Sequence, residues 1–365
     1  MEQKGFKHAR QGGGNSSRMR NKRFLSFSAL TAAFSLCLSG CAGSQEASVQ
    51  EHTAELFAMG TYMNFTAYGE QADAALDEAV SHVEEWESLW SVTDENSEIY
   101  AANHSHGRPV PLSTETENLL RFALEMSGQT QGALDPTIYP LVSAWGFIDQ
   151  EYRIPSDEEI QELLSLTGYE KVALENHAVT LPEGMQLDLG AAGKGYTGEL
   201  LADHLKEQGV TSALLDIGGN IQMVGPKPDG TKWRLGIRNP FEDGSFGTLE
   251  AQDCAVVTSG GYERYFTGGD GTTYWHILDP ATGRPADSDL ASVTIIGDSG
   301  VLCDALSTAI FVMGLEEGIQ YWETYGGFDM LLMTLDGEIY LTEGIEENFT
   351  PEEEFSEQTI HVMEA

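Results

Sequence analysis

Helical patterns and tight-turn pairs occur in this chain without alternating regularly, and this mixture constrains the fold class most strongly. Apolar residues recur at helical spacing early in the chain, at Leu76, Val80, Val83, Trp86 and Trp90. Further along, strand-like apolar runs flank three pairs typical of tight hairpins, Asp229-Gly230, Asp270-Gly271 and Asp336-Gly337. Regular alternation of strands and helices would predict a parallel sheet. The sequence instead predicts an α+β fold, with mixed helices and antiparallel sheets.

Two further patterns predict where helices begin. Thr114-x-x-Glu117 and Ser156-x-x-Glu159 both match the capping box, in which a hydroxyl and a carboxylate satisfy free N–H groups of the first turn. Together with the early apolar pattern, they predict three or more helices in the first half of the chain.

The first forty residues have the pattern of an export signal. Seven Lys and Arg residues precede an apolar run from Phe24 to Leu38, which is shorter than the about 20 residues that span a bilayer. The run ends in Leu38-Ser39-Gly40-Cys41, which is typical of a bacterial lipobox. We predict that residues 1–40 are a lipoprotein signal peptide and that Cys41 is acylated, for example by palmitate. Met19 is an alternative start, since residues 20–23 would still supply basic charge.

This leader implies a location and a division of the chain. A lipid on Cys41 would anchor the protein to the extracytoplasmic face of the cell membrane, which is periplasmic if the host has an outer membrane. Residues 41–53 are then the lipidated cysteine and a polar tether, and residues 54–345 are the main folded domain. Residues 346–365 form an acidic tail, predicted to be frayed or a solvated edge.

Charge and cysteine content exclude some classes of protein. The formal net charge is −39, and seven of the 19 basic residues lie in the leader, so nucleic acid is excluded as a partner. An anionic ligand would need a cation and a locally positive pocket. After Cys41 only Cys254 and Cys303 remain, which excludes a disulfide framework and leaves two free thiols or one bridge.

A glycine-rich segment from Gly193 to Gly198 matches G-x-G-x-x-G, between the strand-like residues 185–189 and a helical pattern. One interpretation is a dinucleotide-binding turn of a nicotinamide reductase, with Asp216 as its acidic partner. The following hairpins and the predicted export argue against it. The other interpretation is a phosphate site in which backbone N–H groups and the Lys194 ammonium contact the ligand. Gly195 follows Lys194 where a P-loop needs Ser or Thr, so a P-loop is excluded.

Two other segments carry candidate chemistry. Asp304, Ser307 and Thr308 share one face of a helical run that ends at Gly314, and such an all-oxygen set suits Mg²⁺. The alternative is that Asp304 caps or pairs while the hydroxyls bond to the preceding turn. His276 lies where a strand enters a turn rich in Pro and Gly, a place where active groups are often presented. It is the candidate general base, although single histidines are commonly structural.

Taken in order, these segments resemble the ApbE family of FAD:protein FMN transferases, over about residues 57–341. The matching motifs are Ala58-Met59-Gly60-Thr61, Asn96-Ser97-Glu98-Ile99, Gly132-Ala133-Leu134-Asp135-Pro136-Thr137, Trp145-Gly146-Phe147, Asp188 to Tyr196, Gly218-Gly219-Asn220, Thr258-Ser259-Gly260, His276 to Pro280 and Asp304 to Thr308. None is decisive alone, but nine in the right order are specific.

The resemblance implies the ligand contacts residue by residue. FAD would lie against Met59, Ala133, Leu134, Asp135, Asp188, Lys194 and Leu278. Mg²⁺ would be held by the carbonyl of Ala191 and by Asp304, Ser307 and Thr308. The chain departs from the family at Leu134 and Thr93, where aromatic residues are usual, and at Gly193. Trp90 and Trp275 are the candidates to replace the lost aromatic contact.

The resemblance also implies a reaction. With Mg²⁺ bound, the FMN half of FAD would pass to a Thr or Ser hydroxyl of an acceptor flavoprotein, and AMP would be released. This chain contains no typical acceptor motif, so self-modification is not favoured. Acceptors would belong to extracytoplasmic or membrane respiratory complexes. His276 would remove the hydroxyl proton and Asp304 would hold the metal. The alternatives are an FAD pyrophosphatase that yields FMN and AMP, and a non-catalytic flavin-binding lipoprotein.

Overall fold

The computed structural model describes residues 49–356 and 358–364. The predicted signal peptide, Cys41 and most of the predicted tether therefore lie outside the described residues. Within them, no helix is both long and apolar enough to cross a membrane.

The described residues form seven α-helices and nineteen strands, with a few short 3₁₀ turns. The helices are α1 (Ala72–Trp90), α2 (Glu98–Asn103), α3 (Thr114–Gln129), α4 (Tyr139–Ala144), α5 (Asp157–Leu164), α6 (Gly190–Glu207) and α7 (Gly300–Tyr325). The strands are β1 (Glu51–Ala58), β2 (Thr61–Tyr68), β3 (Val110–Pro111), β4 (Ala173–Glu175), β5 (Ala178–Thr180), β6 (Ala213–Ile217), β7 (Asn220–Val224), β8 (Trp233–Arg238), β9 (Ser245–Ala251), β10 (Ala255–Gly260), β11 (Tyr265–Thr267), β12 (Thr273–Trp275), β13 (Leu278–Asp279), β14 (Arg284–Pro285), β15 (Leu290–Gly297), β16 (Asp329–Thr334), β17 (Ile339–Thr342), β18 (Phe349–Pro351) and β19 (Ile360–Met363).

A nine-stranded sheet organises the fold, in the order β1-β2-β6-β7-β10-β15-β16-β17-β19. Neighbouring strands are antiparallel except for β17 and β19, which are parallel. Helices and mainly antiparallel sheet without regular alternation confirm the predicted α+β class.

The two faces of this sheet are buried by different elements. Because successive side chains of a strand point to opposite faces, Ala255 and Val257 of β10 join the large core under the helices, whereas Val256 joins a second core. That second core contains Trp233 and Phe246 of the small sheet β18-β9-β8. Helices therefore cover one face of the large sheet, and the small sheet covers the other.

The predicted local signals were right in most places. Ser156 caps α5, since its Oγ accepts the Glu159 N–H at 3.2 Å. The helix predicted at Thr114 begins there, but its cap is Ser113, whose Oγ accepts the Thr116 N–H. Two Asp-Gly pairs lie in hairpins, between β11 and β12 and between β16 and β17. The third, at residues 229–230, is a turn between two different sheets.

The dinucleotide-binding interpretation of the glycine segment is wrong. Residues 185–189 form no strand, and α6 already begins at Gly190, so the three glycines lie inside a helix. The strand that carries Asp216 is antiparallel to both neighbours, which excludes a βαβ unit. Gly195 is needed for packing, because a Cβ there would lie 2.2 Å from the Gly300 carbonyl oxygen of α7.

The tail is not frayed, and part of it forms an edge of the large sheet, which was the other alternative. Phe349 begins β18 beside β9, and β19 pairs with β17 at the edge of the large sheet. Phe355 and Met363 are buried. Widely spaced apolar residues among many glutamates therefore fix the tail to both sheets. At the other end, β1 begins at Glu51, three residues before the predicted domain start. Cys254 and Cys303 are free thiols, which is one of the two alternatives that the sequence left open.

Candidate functional site

A cleft of about 1070 Å³ lies at one end of the large sheet, between the tips of two hairpins and the N-terminal turns of α6. This volume is at the upper end of the range of volumes found for pockets that bind small molecules and cofactors. The cleft is lined by nearly all of the predicted site residues: Met59, Ala133, Leu134, Asp135, Asp188, Ala191, Lys194, His276, Leu278, Asp304 and Thr308. Ser307 is the exception, because it is fully buried beneath the cleft.

Met59 lies at the tip of the β1–β2 hairpin in a conformation that non-glycine residues rarely adopt. Its φ is +50° and that of Gly60 is +71°, as a two-residue turn with positive φ at both positions requires. The Glu87 carboxylate of α1 holds this turn by accepting the Met59 N–H at 2.6 Å. The Met59 Sδ also accepts a hydrogen bond from Thr197 of α6 at 3.5 Å. Such strain is typical of functional sites.

A second tight turn lies beside the first, between β6 and β7. Gly218 and Gly219 both have positive φ, +64° and +87°. A Cβ on Gly218 would lie 2.0 Å from the Thr61 Oγ1, so a glycine is required where the two hairpin tips touch. The turn is closed by the Asp216 carboxylate, which accepts the Gly219 N–H at 3.0 Å. Two rigid tips therefore form one edge of the cleft.

The Asp135 carboxylate accepts hydrogen bonds from neighbouring groups of the protein. It accepts hydrogen bonds from the Thr137 N–H and hydroxyl at 2.8 and 2.6 Å, and from the Tyr169 N–H at 3.1 Å. Burial raises the pKa of this carboxyl, and the hydrogen bonds act in the opposite direction. Asp135 thus fixes the loop that presents Ala133 and Leu134 to the cleft. Its carboxylate is directed to this loop.

Of the two tryptophans that could replace the lost aromatic contact, Trp90 lines the cleft and Trp275 does not. Trp90 lines the cleft beside Thr93, stacks at 6.1 Å on Trp86 and lies 5.8 Å from the Tyr196 ring. Its Nε1 donates to Thr116, so the ring is fixed in place. Trp275 packs edge-on against Phe311 and does not line the cleft.

Lys194 and Asp304 meet where α6 crosses α7. The Lys194 Nζ lies 3.8 Å from the Asp304 Oδ1, while the Asp304 Oδ2 accepts the Gly195 N–H at 2.8 Å. Ser307 donates to the Asp304 carbonyl and contacts the Ser259 hydroxyl, both at 2.8 Å. This is the back-bonded arrangement considered as the alternative for Ser307. The Thr308 hydroxyl lines the cleft, 3.5 Å from the Ser259 Oγ.

His276 also lines the cleft. Its Nδ1 lies 3.2 Å from the carbonyl oxygen of Arg264, which orients the ring through a backbone acceptor. Burial, with a smaller effect of the nearby Arg264 and Lys194 charges, lowers the pKa of His276 to about 3. The ring is therefore neutral near pH 7, and a proton on Nδ1 leaves the Nε2 lone pair available.

Sequence reasoning missed Arg238, which lines the cleft. Arg238, at the end of β8, lies 3.2 Å from the Glu263 carboxylate and stacks over the Tyr262 ring at 4.8 Å. Burial raises the pKa of the Tyr262 hydroxyl, which is therefore a neutral donor. Arg238, Arg264 and Lys194 line the cleft of a strongly acidic protein. Arg238 had no sequence signal, because it lies in a short strand without a motif.

The described residues contain no group of three or more His, Cys, Asp or Glu side chains arranged to hold a metal ion. The set around Asp304 is of a different kind, because it combines one carboxylate with hydroxyl and carbonyl oxygens. Fold and cleft together define an α+β enzyme. Its ligand site combines positively charged side chains, oxygen atoms that could bind a metal ion, and a neutral histidine.

Comparison with known proteins identifies the family. The ApbE family model matches residues 59–332. The FAD:protein FMN transferase of Vibrio cholerae is 37% identical over 65% of this chain and 72% of its own length. That of Treponema pallidum is 32% identical over 85% of this chain and 91% of its own. The ApbE protein of Thermotoga maritima has a TM-score of 0.77 at 31% identity, covering 82% of this chain and 99% of its own. The flavin transferase ApbE of Vibrio cholerae has a TM-score of 0.74 at 30% identity, with the same coverage. This chain belongs to the ApbE family and is a transferase.

Proposed function

We propose that the protein is a Mg²⁺-dependent FAD:protein FMN transferase, which moves FMN from FAD to a Thr or Ser hydroxyl of an acceptor flavoprotein and releases AMP. The observation that carries this proposal is the meeting of Lys194 and Asp304, 3.8 Å apart, in a cleft that also holds the neutral His276. Two similar proteins carry the name FAD:protein FMN transferase, which supports the choice of substrate.

The residues around Asp304 fit a magnesium ion. Mg²⁺ prefers oxygen ligands and commonly takes only one or two carboxylates, keeping water and phosphate for its other positions. Asp304 supplies one carboxylate whose Oδ2 is fixed by Gly195, and Thr308 and the Ala191 carbonyl supply further oxygens at the same wall. Ser307 fits less directly, since it already bonds to Asp304 and Ser259. When bound, Mg²⁺ would neutralise charge on the pyrophosphate.

The protein's own residues would position the reacting groups. Lys194, in the N-terminal part of α6, would hold phosphate oxygens. The acceptor hydroxyl oxygen attacks the FMN-side phosphorus, an O–P bond forms, and the P–O bond to the bridging oxygen breaks so that AMP leaves with that oxygen. The hydroxyl proton passes to the Nε2 of neutral His276. The products are a phosphoester-linked flavin and AMP.

The test is to incubate the full-length chain, purified in detergent, with FAD, Mg²⁺ and a flavoprotein domain, while acceptor mass and AMP are followed together. Transfer predicts one added FMN per acceptor and matching AMP, and EDTA abolishes both. AMP without an acceptor adduct would mean FAD hydrolysis. Retained FAD with neither product would mean a flavin carrier. An Asp304→Ala variant that keeps its fold and its transfer activity would contradict the role of Asp304.

The proposed location follows from the leader. Only a short segment separates Cys41 from the described fold, so a lipid on its thiol would hold the cleft near the outer surface of the membrane. Flavoprotein subunits of respiratory complexes at that surface are suitable acceptors. Cell fractionation and incorporation of labelled palmitate test this proposal. A Cys41→Ala chain should lose the label and leave the membrane fraction.

A further inference from the structure

The small sheet β18-β9-β8 has a free edge that lines the cleft. Among the described residues, β8 has β9 on one side and no strand on the other. Four consecutive residues of β8 line the cleft, Leu235, Gly236, Ile237 and Arg238. Successive residues of a strand point to opposite faces, so a cavity lined by four in a row runs along the edge of the strand. The backbone of β8 is therefore open to whatever enters the cleft.

The backbone groups on this edge are unused. An edge strand directs every second N–H and C=O away from its only neighbour. In the part of the chain that the structure describes, no backbone hydrogen bond from a loop reaches β8. Gly236 is exposed without a positive φ, and a Cβ there would lie 3.5 Å from the Ser245 Cβ, an ordinary contact. The fold does not require this glycine, and a glycine inside a strand often marks the close approach of another backbone.

The end of β8 leads to His276. Its last residue, Arg238, lies 3.2 Å from the Glu263 carboxylate, and the carbonyl oxygen of the next residue, Arg264, lies 3.2 Å from the His276 Nδ1. All four residues line the cleft. None of the FAD contacts that the family resemblance implies belongs to β8. A polypeptide lying along this edge would therefore reach the proposed base on a side of the cleft that has no assigned ligand.

An exposed aromatic pair lies at the rim of the same cleft. Met63 of β2 joins the core under the helices, so Tyr62 points to the opposite face. That face is covered at Tyr68, which lies 6.3 Å from the ring of Trp233, but Tyr62 is 79% exposed and lines the cleft. Phe57 pairs with Tyr62, is 63% exposed, and has its ring 5.1 Å away. Large exposed apolar rings beside a ligand site are typical of a protein-binding surface.

Positive charge is concentrated at β8 in a strongly acidic protein. Lys232 precedes the strand and Arg234 and Arg238 lie in it, whereas the whole chain has a formal net charge of −39. Arg234 and Arg238 lie 3.7 and 3.2 Å from the carboxylates of Glu250 and Glu263, and such exposed pairs contribute little to stability. An acceptor segment with Asp or Glu near its hydroxyl complements this edge, whereas the overall charge disfavours a second copy of this chain.

We propose that the free edge of β8 and the Phe57–Tyr62 pair form the docking surface for the acceptor protein. An extended segment of the acceptor adds as a strand to β8, and the aromatic pair contacts apolar side chains of the acceptor at the rim. The added strand carries the acceptor hydroxyl to His276. This inference rests on the proposed function, which requires a hydroxyl of a polypeptide to enter the cleft.

Hydrogen–deuterium exchange on the full-length chain in detergent tests the strand addition. The probe is the flavoprotein domain that the transfer assay modifies, with its target Thr or Ser changed to Ala and without FAD, so that no turnover occurs. The amides of β8 that do not bond to β9 should exchange at least about tenfold more slowly with the probe. The amides of β19, an edge strand away from the cleft, should change less than about twofold.

Three outcomes of this exchange experiment would overturn the proposal. The first is unchanged exchange in β8, and the second is equal protection of β19. The third is that FAD alone, with EDTA, protects β8 as much as the probe does, which would assign the edge to the flavin.

A pair of variants tests the aromatic part of the surface. Phe57→Thr should raise the KM for the acceptor domain at least about fivefold and leave kcat unchanged, because an exposed anchor acts on docking alone. Leu335→Thr is the control, since Leu335 is 52% exposed at the tip of the β16–β17 hairpin and does not line the cleft. It should change neither quantity by more than about twofold, and both variants should keep the FAD Kd.

An unchanged KM in Phe57→Thr, or a loss confined to kcat, would contradict the docking role, and Phe57→Val replaces this variant if it does not fold. Light scattering tests for another occupant. A dimer that Phe57→Thr dissociates would assign the surface to a second copy of the chain and overturn the proposal. Failure of the unsubstituted chain to transfer FMN would instead contradict the proposed function.

Discussion

At the scale of single residues, the protonation state of His276 determines what the site can do. If Nε2 accepts the hydroxyl proton, His276→Ala should lower kcat by about 10²- to 10⁴-fold, the usual contribution of a positioned base. The FAD Kd and the Tm should change little, since the ring's hydrogen bond is to the Arg264 carbonyl. Single-turnover mass spectrometry of the acceptor measures the rate. A variant that retains most transfer activity with intact folding and FAD affinity would remove His276 from the reaction.

The same residue makes a prediction about pH. Burial lowers the pKa of His276 from 6.5 to about 3, so the folded protein keeps the ring neutral through the range in which a free histidine titrates. The unfolded chain binds the proton below about pH 6.5, and the contribution of His276 to stability therefore falls as the pH drops from there towards 3. The transfer rate should show no inflection near pH 6.5. An inflection there that disappears in His276→Gln would contradict the lowered pKa.

At the scale of elements, the crossing of α6 and α7 aligns Lys194 with Asp304, and its glycines can be tested as a pair. A Cβ on Gly195 would lie 2.2 Å from the Gly300 carbonyl oxygen, whereas one on Gly193 would meet nothing within 4 Å. Gly195→Ala should lower the free energy of unfolding by about 1–3 kcal/mol or more. Gly193→Ala should raise it by about 0.5–1 kcal/mol, because alanine favours the helix. Urea unfolding checks both, and equal effects would show that the helices do not cross this closely.

This crossing also shows what could be predicted from the sequence. The spacing of Gly193, Gly195 and Gly198 is the same whether the glycines let a loop approach phosphate or let two helices pack closely. Only the partner helix distinguishes these cases, and it begins about a hundred residues later, at Gly300. Local signals such as the Ser156 cap, the early helical pattern and two hairpins were predicted correctly. The family motifs predicted which residues line the cleft, but Arg238 required the tertiary fold.

At the scale of the whole molecule, the cleft and the C-terminal strand lie at different parts of the sheet. The cleft involves β2, β6, β7 and β10, whereas β19 is the edge strand four positions beyond β10. Acidic composition concealed that strand, since its four residues, Ile360 to Met363, follow a segment rich in glutamate. The cleft therefore lies at one part of the large sheet, and the edge strand β19 lies at the other side of the same sheet.

Deletion of residues 359–365 tests this separation. The change removes β19 from its pairing with β17 and exposes apolar surface that Met363 now covers, so we expect the free energy of unfolding to fall by about 1.5–3 kcal/mol. The FAD Kd should stay within about twofold, because the strands that line the cleft keep their neighbours. Urea unfolding and fluorescence titration of the same preparation measure the two quantities. Unchanged stability would mean that the tail is the frayed segment its composition suggests, whereas lost FAD binding in a folded chain would mean that the edge strand supports the cleft.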